Sequence, residues 1–251
     1  MIFLRSALFM LAMIVLTPLL VTALLLLFWL PARARRRIAM GWVHPAAWLV
    51  EHLLGIRYRV LGAENIPART CVVLCKHQSA WETIMLQKVF PLPAFVYKRE
   101  LHWLPFFGWG LRLMPFVGID RSAGKQALEQ VAQRGKQRLA EGYPVVIFPE
   151  GTRVPPGQKK RYKVGGAYLA ERSGAPVVPV ALNSGEFWGR KAFVKRPGLV
   201  TVSIGPAIDP AGLSAEDINL RAETWIEDEM RRISPQLYRH EAASSAAGAP
   251  A

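Results

Sequence analysis

The sequence predicts one α/β domain with a central, mostly parallel sheet flanked by helices, preceded by a hydrophobic helical membrane anchor. Three observations predict it. Short apolar runs alternate with helical patterns between residues 71 and 233, the order that builds parallel sheets. Residues 6–30 contain no charged side chain, and a helix needs about 20 such residues to cross a hydrocarbon core. A chain of 251 residues fits one sizeable domain plus accessories.

The anchor is expected over residues 1–55. Arg5 lies before the apolar run, and Arg33, Arg35, Arg36 and Arg37 follow it, which by the positive-inside rule puts the following domain on the cytoplasmic side of the inner membrane. A cleaved signal peptide has a shorter apolar region of about 7–15 residues and its cations in front. A re-entrant or surface-lying helix stays open, because Pro18 sits mid-segment. Residues 38–54 form a second apolar helix, with Trp42 and Trp48 suited to a membrane interface or a buried core.

The α/β domain is expected over residues 56–240. Leu61-Gly62 and Asn65-Ile66-Pro67 read as turns, and a strand follows at 71–75. Ser79-Ala80-Trp81-Glu82 matches a capping box and opens a helix over 80–89. A short strand at 95–97 precedes an aromatic, Pro- and Gly-rich stretch over 101–117, read as membrane-dipping surface or core. Residues 124–141 form an amphipathic helix with Leu128, Val131, Ala132 and Leu139 on one face and Gly142 as its stop. A strand at 145–148, a helix at 163–173, strands at 177–182 and 199–204, and a closing helix at 215–233 complete the domain. The Ala-, Ser-, Gly- and Pro-rich tail 241–251 is expected to be disordered.

Formal net charge is +14, with a pI near 10.3, a balance that suits anionic membranes or nucleic acid. No zinc-finger, homeodomain or RNP-type pattern occurs, so the expected partner is membrane phospholipid and not nucleic acid. Cys71 and Cys75 fall in one strand; four residues of strand span roughly 13 Å, too far for a disulfide. They read as reduced core residues, and nothing in their spacing suggests a metal site.

Two clusters carry the candidate chemistry. His77-Gln78-Ser79-Ala80-Trp81-Glu82 follows the first apolar strand, and Phe148-Pro149-Glu150-Gly151-Thr152-Arg153 follows another. Ligands in open α/β sheets bind at the carboxyl ends of strands. His77 is the candidate general base, and Glu82 can fix its tautomer; the plainer reading of Glu82 is a helix cap with Ser79. Arg121, after Gly118-Ile119-Asp120, and Arg153 suit phosphate recognition or surface ion pairs. Lys159, Lys160, Arg161 and Lys163 form a basic loop beside Arg153. Cys75 as a thioester nucleophile competes with inert core, and Ser79 as a nucleophile competes with its capping role.

These blocks resemble the 1-acyl-sn-glycerol-3-phosphate acyltransferases, the PlsC-like group of glycerolipid acyltransferases. That family's first block is His, four residues, then Asp, where this chain has His77 and Glu82. Its second, an arginine after an apolar-Asp pair, is matched by Arg121; its third, Phe-Pro-Glu-Gly-Thr-Arg, by residues 148–153 without change; its fourth by Val178-Pro179-Val180. Lys98, Glu100-Leu101, Pro105 and Gly108 resemble the stretch before the second block. The match covers roughly residues 70–185. It implies acyl transfer from acyl-CoA or acyl-carrier protein, as co-substrate and without a cofactor or metal, to the sn-2 hydroxyl of lysophosphatidic acid, giving phosphatidic acid. His77 would be the base and Glu82 its partner. Arg121 and Arg153, with Glu150 and Gly151 nearby, would hold the glycerol phosphate, and Thr152 and Lys98 would join them in the substrate site. Other acceptors such as a lyso-ornithine lipid, a lipid hydrolase using Ser79 or Cys75, and a non-catalytic membrane protein are the alternatives.

Overall fold

A computed structural model describes residues 1–238 of the chain; the expected tail at 241–251 lies outside the described residues. Helix α1 (Ile2–Leu26) and helix α2 (Ala32–Trp48), extended by a π-turn at Leu49–Leu53, precede a seven-stranded sheet. In chain order follow β1 (Ile56–Leu61), β2 (Val72–Cys75), α3 (Trp81–Val89), β3 (Ala94–Lys98), α4 (Phe107–Leu113), β4 (Val117–Ile119), α5 (Lys125–Ala140), β5 (Val145–Ile147), α6 (Gly165–Ser173), β6 (Val177–Leu182), β7 (Gly198–Ile204) and α7 (Ala215–Ile233). The strand order is β1-β7-β6-β2-β5-β3-β4. From β6 to β4 every pairing is parallel; β7 runs antiparallel to β6 and carries β1 parallel to itself. The expected mostly parallel sheet is therefore present.

Strand alternation sorts the core into two layers. Val73 and Cys75 of β2 pack with residues of α2 and α3, whereas Val72 and Leu74 pack with residues of α5, α6 and α7. Gly166 lets α6 approach β2 closely, since a Cβ there would lie 2.3 Å from Leu74 Cδ2. The sheet is thus covered on both faces, and only its strand ends are free to build a site.

Two strands went unread in the sequence. Strand β1 alternates Ile56, Tyr58 and Val60 with Arg57, Arg59 and Leu61, and its arginines suit an edge position. Strand β4 has only three residues and begins where the aromatic stretch ends, too short to show a period. That stretch divides its labour: Leu104, Phe107, Leu111 and Phe116 line the main cavity, while Trp103 is 85% exposed.

The N-terminal helices are docked on the domain. Phe9 of α1 and Val50 and Leu54 after α2 are buried in the same core layer as β2. Ser6 Oγ accepts the Lys195 N–H at 2.9 Å, and Trp42 Nε1 donates to Thr17 Oγ1 at 3.1 Å. Helix α1 alone is long and apolar enough to cross a membrane among the described residues, yet one face of it walls the cavity. The arginines behind it also do structural work. Arg33 donates to the Glu141 carbonyl and Arg35 to those of Leu113, Phe28 and Leu30. Arg36 is buried, its guanidinium donating to Gln87 Oε1 at 2.6 Å and lying over the Phe116 ring; burial lowers its pKa to about 10. Of the four cations that suggested an orientation, Arg37 remains exposed and Arg33 with it.

Candidate active site

Parallel strands β2, β5, β3 and β4 end at the same edge of the sheet. Their exits carry His77, the 148–153 segment, Lys98 and Arg121. A cavity of about 590 Å³ opens there and is lined by His77, Lys98, Arg121, Gly151, Thr152 and Arg153. Its inner wall is mostly apolar, built from Leu20, Val21, Leu24, Val43, Phe95 and Met114, with the buried Arg36 also among the lining residues.

His77 is fixed on every side but one. Its backbone N–H donates to Glu150 Oε2 and its carbonyl accepts from the Val154 N–H, each at 2.8 Å. The ring stacks on Phe148, with centroids 3.9 Å apart. Nδ1 lies 2.5 Å from Glu82 Oε2. An ionised carboxylate only accepts, so Nδ1 carries the hydrogen and Nε2 keeps its lone pair. The side chain is 14% exposed, as a base facing a cavity must be.

Glu82 is fully buried and fully satisfied. Its Oε1 accepts the Gln78 N–H at 3.0 Å, the Ser79 N–H at 2.7 Å and the Ser184 hydroxyl at 2.5 Å. Glu82 therefore both contacts the imidazole and caps the start of the helix. The extra methylene of Glu relative to Asp gives one oxygen reach to the backbone while the other meets the imidazole. The capping box is only half formed: Ser79 Oγ accepts from the Trp81 N–H at 3.1 Å, and α3 starts one residue later than expected.

Glu150 does not hold a ligand phosphate. It is completely buried, does not line the cavity, and pairs with Lys76 Nζ at 2.8 Å. A buried carboxylate would in any case repel a phosphate. Burial raises its pKa, with Lys76 opposing the shift. Lys76 also meets Glu227 Oε1 of α7 at 2.8 Å, and Tyr162 OH donates to the same oxygen at 2.9 Å. Lys76, Glu227, Tyr162 and Ser184 escaped the sequence reading. A lysine ending an apolar strand was the one available signal; Ser184 lies 102 residues from its partner.

Gly151 stands at φ 69°, a conformation that favours glycine, and its carbonyl accepts from Arg121 Nη1. The second and third sequence blocks are thereby tied together at the rim. Lys98, half exposed, pairs with Glu100 at 3.1 Å. Two further cations, Arg190 and Lys191 from the segment after β6, line the same rim, and Arg190 Nη1 donates to the Arg153 carbonyl at 3.4 Å.

The thiols are unsuited to attack. Burial raises the Cys71 pKa to about 12 and holds that of Cys75 well above the usual range, with Glu82 and Glu150 adding to the latter. Ser79 is buried and occupied as an acceptor. Cys75→Ala is expected to keep near-wild-type acyl transfer in initial-rate assays on folded protein; loss of activity would return the thiol to the chemistry.

A family model for acyltransferases matches residues 57–183. A 1-acyl-sn-glycerol-3-phosphate acyltransferase of Pseudomonas aeruginosa is 46% identical over 210 residues, 82% of each chain. The human enzyme of that name, beta form, is 32% identical over 70% of this chain and 66% of its own. A crystal structure of a Thermotoga maritima 1-acyl-sn-glycerophosphate acyltransferase, PlsC, superposes with a TM-score of 0.77 at 24% identity, covering 92% of this chain and 95% of that one, which establishes the fold. With a buried His-carboxylate dyad at the strand ends and relatives of this closeness, the chain belongs to the acyltransferase family, among its 1-acyl-sn-glycerol-3-phosphate acyltransferases.

Proposed function

We propose that the chain moves a fatty acyl group from an acyl-CoA or acyl-carrier-protein thioester to the sn-2 hydroxyl of lysophosphatidic acid, giving phosphatidic acid. The observation that carries this reading is the His77–Glu82 dyad opening onto a cavity that is mostly apolar inside and cationic at its rim. A lysophospholipid has the same division. Its phosphate lies against Arg121, Arg153 and Lys98, and the free hydroxyl meets His77 Nε2. The imidazole takes the proton as the oxygen attacks the thioester carbonyl, forming the C–O bond and moving the carbonyl pair onto oxygen. Collapse of the tetrahedral species breaks the C–S bond, and the departing thiolate takes the proton back from the imidazolium. Glu82 stabilises that cation while it exists.

The outward residues of α1, among them Leu8, Leu11, Val15 and Leu19, share their exposure with Trp103, Phe106 and Trp109 around α4. Such a surface suits the lipid side of a membrane. Arg33 and Arg37 behind α1 and two free cysteines favour the cytoplasmic side of the inner membrane. The deciding assay supplies labelled lysophosphatidic acid with acyl-CoA or acyl-carrier protein to membranes containing the protein. Phosphatidic acid is expected with at least one donor. Its absence with both, alongside turnover of a lyso-ornithine lipid, would overturn the acceptor assignment.

A further inference from the structure

The cavity rim carries more positive charge than one acceptor phosphate uses. Arg121, Arg153, Arg190 and Lys191 all line it. Among the described residues, none of the four is ion-paired with a carboxylate. A phosphomonoester carries about −1.5 to −2 at neutral pH, so two of these cations neutralise it and two remain.

The fold separates the cations into two sets. Strand β6 adjoins β2 on one side, while β5, β3 and β4 lie on the other. Arg190 and Lys191 are carried by the segment after β6, whereas Lys98, Arg121 and Arg153 come from the exits of β3, β4 and β5. The two sets meet at the contact between Arg190 and the Arg153 carbonyl.

The segment bearing the second set is built, not loose. The Arg196 N–H donates to the Phe187 carbonyl at 2.9 Å, and the Lys195 N–H to Ser6 Oγ at 2.9 Å. The Lys195 ammonium lies 5.8 Å, 5.3 Å and 5.4 Å from the ring centroids of Phe9, Trp188 and Phe193. Lys191 is held at φ 58°, which is uncommon for a residue with a side chain.

We propose that Arg190 and Lys191 form the anion site for the acyl donor, taking the 4′-phosphate of its phosphopantetheine arm. The proposal rests on the acyl-transfer reading above. Acyl-CoA and acyl-carrier protein end in the same arm, with a phosphate at one end and the thioester at the other. When the acceptor phosphate occupies Arg121 and Arg153, the donor phosphate needs its own cations, and Arg190 and Lys191 are the pair that remains on the rim.

Initial rates with three donors test it: acyl-CoA, acyl-carrier protein, and an acyl thioester of N-acetylcysteamine, which has no phosphate. Arg190→Gln/Lys191→Gln is expected to lower kcat/KM for both phosphopantetheine donors at least about tenfold. The KM for lysophosphatidic acid should stay put, and the preference for phosphorylated over truncated donor should shrink by the same factor. Arg190→Glu/Lys191→Glu should fall further. Both side chains are exposed, so the thermal midpoint should match wild type. A raised acceptor KM would assign the pair to the lysolipid phosphate. An equal loss with the truncated thioester would make the role structural. A loss confined to the carrier protein would point to its acidic surface, and one confined to acyl-CoA to its adenosine phosphate. Unchanged rates with every donor would remove the role. Each of these outcomes overturns the proposal. If wild type turns over another lysolipid but not lysophosphatidic acid, the acceptor reading fails, and the donor comparison is run with that lysolipid.

Discussion

His77→Ala is expected to lower acyl transfer by about 100- to 10,000-fold, the usual worth of a positioned general base. The fold should survive, because the groups that hold this position are mainly backbone: the N–H to Glu150 and the carbonyl to Val154 remain in the variant. Binding of lysophosphatidic acid should change little, since the phosphate-facing cations are untouched, so the loss should fall on kcat. Glu82→Gln should be nearly as damaging for a different reason. An amide nitrogen facing Nδ1 would donate to it and drive the ring hydrogen onto Nε2, where it blocks proton uptake. Its oxygen could still accept from Gln78, Ser79 and Ser184, so stability should fall less than activity. Labelled phosphatidic acid formation by variants of wild-type thermal midpoint measures both. A folded His77→Ala variant within tenfold of wild type would end the general-base assignment.

The elements that showed in the sequence are those whose pattern is local. Helix α7 matches the expected 215–233 residue for residue, and Ser214 and Asp217 cap it reciprocally. Strands β2, β5 and β6 were found as apolar runs, buried on both faces as central parallel strands are. The edge strand β1 and the three-residue β4 lacked either signal. The site divides the same way. His77, Arg121 and Arg153 sit on strand exits, and a strand exit can be read from sequence. What surrounds them is set by packing across the sheet. Nothing near Glu150 announces that its side chain turns inward to Lys76, and nothing near Ser6 announces Lys195. Residues 6–30 were legible as a membrane segment by composition, but their docking against the catalytic domain was not, because an apolar helix carries no mark of which face meets protein.

The buried charges beneath His77 give the largest expected effect on stability. Lys76 Nζ sits 2.8 Å from both Glu150 Oε1 and Glu227 Oε1, in a site closed to solvent. One ammonium thus serves two carboxylates, and the three partners are not equivalent. Lys76→Met would leave two carboxylates facing each other without a cation, at a cost of about 3–5 kcal/mol, or a fall in Tm of roughly 6–20 °C for a domain of this size. Glu227→Gln would leave Lys76 and Glu150 as a balanced pair and keep an acceptor for Tyr162, so it should cost clearly less. The pH dependence has a definite sign. Burial raises the Glu150 pKa and Lys76 opposes that shift. A carboxyl whose folded pKa is raised contributes stability below its unfolded pKa and loses it as pH rises through the folded value. Removing Lys76 strengthens the upward shift, so the deficit of Lys76→Met should be greatest at neutral and alkaline pH and shrink toward acid. Thermal midpoints of both variants and wild type from pH 5 to 8 test this. Equal losses for the two variants, or a Lys76→Met deficit that ignores pH, would show that this lysine is not the shared counter-ion. Because Glu150 also receives the His77 N–H, whatever Lys76→Met protein stays folded should turn over more slowly than its folded fraction accounts for, which links a charge on the closing helix α7 to the placement of the base.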